Sequence, residues 1–231
     1  MIKIRRTPEE PEDLTEQRNR AKLGQTATYN VPGVVKLLDK DFYGMCYLCG
    51  GEAGKEYNIE HLRPHEGGTY LDLKFSWDNL FLCCPNCNGM KNKKKYAKDI
   101  IDCCKEDPER LILQEVKNGK IRIVPQEDMK NVNRAKNTAE LIEECFYSTK
   151  TEQQAMKCES RRYELTSKTV TFYKLLNKYW DLREEGKDCT AEKAQIEEML
   201  QPSSPYAAFM RSFIRERLDM FGEFEEWVNP N

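Results

Sequence analysis

Two cysteine pairs, Cys46-x-x-Cys49 and Cys84-x-x-Cys87, bracket Ile59-Glu60-His61-Leu62-Arg63-Pro64, the pair Gly67-Gly68, and Trp77-Asp78-Asn79-Leu80. Thiolates in two such pairs hold one tetrahedral Zn2+, and binding it supplies folding energy to a segment too small to stabilise itself by apolar burial. A plain zinc ribbon leaves roughly 15–20 residues between its pairs. Here 34 residues separate Cys49 from Cys84, so something more is built inside the clamp. A redox role for either pair lacks the βαβ pattern that a thioredoxin-like motif needs. Cys83 adjoins Cys84, but the x-x spacing and Pro85 favour Cys84 as the ligand, which leaves Cys83 a small buried residue.

Inside the clamp, His61 is the residue suited to moving a proton, because its ordinary pKa lies near neutrality. A lone histidine is most often structural; this one stands between a carboxylate and a Pro-Gly-Gly region within a metal frame. If residues 57–62 form a strand, Glu60 and His61 point to opposite faces unless the strand ends or bulges there. Hydrolysing a phosphodiester needs an activated water, a cation against the developing negative charge and firm placement of the phosphate. Carboxylate and amide oxygens with open water positions suit Mg2+ or Mn2+. Lys91, Lys93, Lys94, Lys95 and Lys98 follow the second cysteine pair, with Tyr96 among them. Such a run is usually a solvated face, but lysines also grip nucleic-acid phosphates without reading sequence, and Arg63 is placed to join them. His65 is expected as a solvated loop residue near substrate.

Cys-x-x-Cys, Glu-His-x-x-Pro, Gly-Gly, Asn-Leu, Cys-x-x-Cys-Asn and a following Lys, in that order, resemble the HNH endonucleases, whose ββα-metal core sets a metal and a general base between two short strands and a helix. The resemblance implies that the carboxylate of Glu60 meets the catalytic metal at the strand's end, that Asn79 fixes the loop carrying His61 and orients its ring, and that Asn88 supplies the other protein ligand. Most relatives have Asp where Glu60 stands, and many have His where Asn88 stands; Asn88 as a helix N-cap is the competing assignment. The wider frame is similar to the PtuB family, the HNH components of Septu antiphage systems, and to related retron effectors. That similarity rests on Met1-Ile2-Lys3-Ile4, on residues 59–64 and on Arg134-Ala135-x-x-Thr138. It implies an ABC-type ATPase partner of the PtuA kind and a role against phage.

The elements that must position these groups follow from the rest of the chain. Its 231 residues, 39% hydrophobic and 33% charged, suffice for a real core. The net charge of −2 excludes an autonomous DNA binder of the globally basic kind, so any grip on nucleic acid is local or comes from a partner. No apolar run spans a membrane and residues 1–6 lack a signal-peptide core, so a cytoplasmic location is expected. The ten cysteines then act as metal ligands and reduced thiols, with Cys103, Cys104, Cys145, Cys158 and Cys189 lacking a spacing partner. Residues 1–11 are expected to be extended, as an arm that packs on the core or adds to a partner, with helices near Leu14–Leu23 and from Val34 to Lys40. Residues 111–116 and 121–124 alternate around Asn118-Gly119, which predicts a hairpin. From about residue 131 the pattern is helical, with a stripe of Leu165, Thr169, Phe172, Leu176 and Tyr179. Phe209, Phe213 and Leu218 suggest one long final helix starting near Ser203 or Ser204, and Phe221, Phe224, Trp227 and Val228 pack on it or face a partner.

The expected class is α+β: a 1–45 arm with helices, a 46–98 zinc-stabilised HNH core, a 99–130 hairpin connection and a 131–231 helical region that could dock a partner. The expected activity is metal-dependent hydrolysis of nucleic acid, DNA favoured, with structural Zn2+ and catalytic Mg2+ or Mn2+. The competing classes are a zinc-bound scaffold or adaptor whose site has decayed, and an RNA-directed nuclease, for instance against tRNA.

Overall fold

A computed structural model describes residues 1–91, 94–97 and 99–229. Lys93 and Lys98 of the lysine run, and the side chain of Lys94, lie outside the described residues. The protein is α+β, with two small antiparallel hairpins set among helices. The arm runs extended to Pro11, and its Ile4 N–H donates to Cys103 O. Met1 and Ile4 are buried, so the arm covers the chain's own core. Arg6 sits between the rings of Phe42, Trp77 and Phe81 and donates to the carbonyls of Trp77 and Leu80. The ring faces attract the cation and the carbonyls accept its N–H groups.

Helices α1 (Glu12–Lys22) and α2 (Pro32–Asp41) lie close to where they were expected. Acidic residues occupy the first turn of α1 and basic ones its last, and Pro32 opens α2 where no N–H is required. Strand β1 (Asn58–His61) pairs antiparallel with β2 (Leu80–Cys83), placing Glu60 opposite Phe81 and His61 opposite Leu80. Between them lies the short helix α3 (Leu71–Lys74), and β2 runs into α4 (Pro85–Lys91). Strand, strand and helix thus form a ββα unit.

The short helix α5 (Pro108–Leu111) is capped by Asp107, whose side chain accepts from Glu109 N–H, and leads into β3 (Ile112–Lys117). β3 pairs with β4 (Lys120–Pro125) across Asn118-Gly119, both at positive φ (51° and 70°), as the tight turn requires. Helix α6 (Asn133–Tyr147) packs on β4 and on α4. The 33-residue α7 (Glu152–Glu184), capped by Thr151 accepting from Gln154 N–H, buries the expected stripe of Leu165, Thr169, Phe172, Leu176 and Tyr179. Helix α8 (Thr190–Leu200) packs on it.

The single long final helix is a correction. The chain instead forms α9 (Ala207–Arg215), α10 (Leu218–Phe221) and α11 (Glu225–Val228). Arg217 leaves helical geometry at φ −136°, ψ 36°, which puts Phe213 and Leu218 on different elements. Phe221 meets Trp180 and Phe224 meets Tyr179, so these aromatics fold onto the chain itself. Arg211 and Arg215 of α9 both reach the buried carboxylate of Glu109, at 2.9 and 3.0 Å. The last elements therefore belong to the core. Among the described residues no helix is long and apolar enough to cross a membrane.

Candidate active site

The two cysteine pairs converge. Cys46 and Cys49 sit on a knuckle before β1, where Gly50 N–H donates to Cys46 O and Cys46 N–H to Gly51 O. Gly50 holds a positive φ of 73°, which glycine adopts without strain. Cys84 and Cys87 lie one helical turn apart at the β2–α4 junction. The four sulfurs lie within 4.8 Å of one another and all four residues are buried. Burial pushes the thiols of Cys46 and Cys87 well above the ordinary range, while hydrogen bonds from the neighbouring sulfurs hold Cys49 well below it. A buried four-cysteine set of this size fits Zn2+, which takes four thiolates tetrahedrally, and when bound the ion would tie the knuckle to α4. Cys83 is fully buried, its sulfur 3.8 Å from that of Cys46 and outside the four-sulfur group, as the spacing indicated.

β1 ends at His61, so Glu60 and His61 stand at the strand's terminus. His61 is buried at 8% exposure, its ring edge-on to Tyr29 (4.5 Å) and to His65 (4.4 Å). Its Nε2 lies 3.0 Å from Lys74 O. A carbonyl only accepts, so Nε2 carries the hydrogen and the lone pair resides on Nδ1. Burial, with the positive charges of Lys91 and Lys74 nearby, lowers the His61 pKa to about 4 against the opposing pull of the Lys74 carbonyl. The ring is therefore a neutral base of one fixed tautomer around neutral pH.

Asn79 builds the surroundings of that ring. Its Oδ1 accepts from Arg63 N–H (2.8 Å), and its Nδ2 donates to Arg63 O and Leu73 O, both at 2.9 Å. Leu62 N–H donates to Asn79 O. One buried amide thus ties the segment after His61 to α3, whose last residue supplies the carbonyl that orients His61. The sequence pointed to Asn79 but not to Lys74, because a backbone acceptor carries no residue signature.

Lys91 corrects the surface role expected of it. It is 4% exposed, and its ammonium donates to Glu60 Oε1 (2.8 Å), His61 O (2.8 Å) and Leu62 O (2.9 Å). Tyr47 donates to Glu60 Oε2 (2.9 Å). Lysine has three N–H bonds and all three are used, leaving none for a phosphate. Burial raises the Glu60 pKa more than Lys91 and Tyr47 lower it. Both oxygens of Glu60 are engaged and its charge is already met by an ammonium, so the site expected at Glu60 and Asn88 for Mg2+ or Mn2+ does not fit this arrangement. Asn88 is half-buried within α4, with its N–H donating to Cys84 O, so it is not the N-cap of this helix.

Of the remaining cationic candidates, Arg63 and Lys95 are exposed. Lys95 pairs with Glu140 at 2.7 Å, and Arg63 follows His61 after the buried Leu62. His65 is half-buried against His61, and its Nδ1 is buried without a hydrogen-bond partner among the described residues. Lys91 was legible in one respect: it lies four residues after Cys87, on the same face of α4.

A search of curated proteins finds no match to the chain. Residues 46–94, which contain both cysteine pairs, Glu60, His61, Asn79, Asn88 and Lys91, match the family model described as HNH endonuclease, so this segment of the α+β protein is similar to that family.

Proposed function

We propose that the protein is an HNH-type endonuclease that hydrolyses phosphodiester bonds of nucleic acid, DNA in the first instance, with His61 as general base. The observation that carries this reading is the fixed His61 ring: neutral, tautomer set by Lys74 O, and lodged at the end of β1 beside a four-cysteine frame. Nδ1 accepts a proton from an attacking water, and the carbonyl of Lys74 stabilises the resulting imidazolium. Asn79 holds the loops that make this geometry. Arg63, exposed one residue beyond the buried Leu62, is placed to meet a backbone phosphate. Bound Zn2+ supplies rigidity to the frame.

The similarity of residues 1–4, 59–64 and 134–138 to PtuB supports a place in a Septu-like complex with an ABC-type ATPase, acting against phage. The scaffold reading keeps one observation in its favour, the carboxylate of Glu60 already neutralised by Lys91. The test is cleavage of DNA and of RNA by the full chain, with and without such an ATPase, in Mg2+, Mn2+ or chelator. His61→Ala is expected to lose about 10²–10⁴-fold in rate. Cleavage only with Mg2+ or Mn2+ would show that a divalent cation takes part in the reaction. Equal cleavage by wild type and His61→Ala refutes the assignment, and no cleavage under any condition supports the scaffold.

A further inference from the structure

The four-cysteine centre has an outer contact from far along the chain. Arg161, in the first third of α7, places Nη2 3.1 Å from Cys84 Sγ and Nη1 2.8 Å from Cys145 O. Among the described residues its guanidinium has no carboxylate in ion-pair range, although it is partly buried. A cation in such a place needs a counter-charge, and a neutral thiol offers little. Four thiolates around one Zn2+ carry a net charge of 2 − 4 = −2, which does supply it.

We propose that Arg161 is the charge-compensating outer partner of the Cys46–Cys49–Cys84–Cys87 metal centre, donating an N–H···S hydrogen bond to the Cys84 thiolate and so making zinc retention depend on α7. A second contact reinforces the coupling of the helical region to the knuckle. Tyr206 N–H donates to Gly50 O (2.7 Å), and Tyr206 OH donates to Glu164, one turn beyond Arg161 on the same helix. Removing the guanidinium leaves the charge of the centre uncompensated and the ion more easily captured by a competitor. Outer partners of this kind are typically worth about 10–100-fold in metal affinity. The proposal rests on zinc occupying the four-cysteine site and not on the nuclease reading.

The test uses the full chain. Zinc release to a colorimetric chelator is timed for wild type, Arg161→Met, Arg161→Lys and Arg162→Met. The last is the control, since Arg162 lies on the same turn and bonds only Phe146 O among these groups. The same proteins loaded with Co2+ report the sulfur-to-cobalt charge-transfer band, whose energy falls when a thiolate loses a hydrogen bond. Expected are release about 10–100-fold faster in Arg161→Met, an intermediate rate in Arg161→Lys, an unchanged rate in Arg162→Met, and a band shifted to lower energy in Arg161→Met. Release at the wild-type rate, an unmoved cobalt band, or equal acceleration by Arg162→Met would each overturn the proposal. Should Arg161→Met not fold, Arg161→Gln carries the test, and wild-type zinc release with an unmoved band there overturns it. A chain that takes up neither metal overturns it at its root, with the zinc reading.

Discussion

Replacing Lys91 by Met is the sharpest perturbation the structure offers. It removes one buried ammonium that donates three bonds and compensates one buried carboxylate, while methionine retains most of the side chain's length. Glu60 is left at 7% exposure with Tyr47 as its remaining donor, and two carbonyls lose a partner. Breaking a buried pair on one side costs about 3–5 kcal/mol, a large share of the roughly 5–15 kcal/mol that folds a typical protein. Adding Glu60→Gln removes the stranded charge and keeps an acceptor for Tyr47, so the double variant should recover about 2 kcal/mol, the size of coupling seen between contacting residues. The assay is urea unfolding of zinc-saturated protein followed by circular dichroism. The deficit also has a pH signature. Glu60's pKa is raised in the folded protein, so the stability linked to its protonated form is present at low pH and lost as pH rises through that pKa. Losing Lys91 raises it further, so the gap between variant and wild type should widen with pH and narrow as pH falls. A deficit under about 1 kcal/mol, or a double variant no more stable than the single, would refute the view that Lys91 compensates Glu60.

Three further outcomes follow from the same contacts. Asn79→Ala removes three part-buried hydrogen bonds, at about 1 kcal/mol each, and should free the Lys74 carbonyl, giving mixed His61 tautomers in nitrogen NMR where wild type shows Nε2–H. Cys84→Ser should purify with zinc well below one equivalent and with a less ordered ββα unit, since structural zinc supplies about 10–16 kcal/mol in small domains; full zinc occupancy would contradict the four-sulfur centre. In Gly51→Ala a Cβ would lie 2.7 Å from Tyr206 Oη, which is itself held by Glu164. The expected loss is about 1–3 kcal/mol, read as a lowered Tm and partly restored by Tyr206→Phe, which removes the nearest atom.

The metal group was legible in the spacing of its cysteines, three apart in each pair, whereas the ββα unit and the place of Glu60 and His61 at the strand's end were expected from the resemblance to the HNH endonucleases. The Asn118-Gly119 hairpin and the buried face of α7 were legible in local spacing too. The long final helix was misjudged because apolar periodicity continues through Arg217 while the backbone does not. Tertiary structure alone decided how the charges are spent. Lys91 looks like the first member of a basic run, but the pairing of β1 with β2 brings the end of β1 beneath α4, and a buried carboxylate with two carbonyls is the lower-energy home for that ammonium. Arg161, 77 residues from Cys84, has no local pattern that marks it, since only the packing of α6 and α7 brings a guanidinium to the sulfurs. Sequence spacing determined which groups could do chemistry, and long-range burial determined which of them remain free to do it.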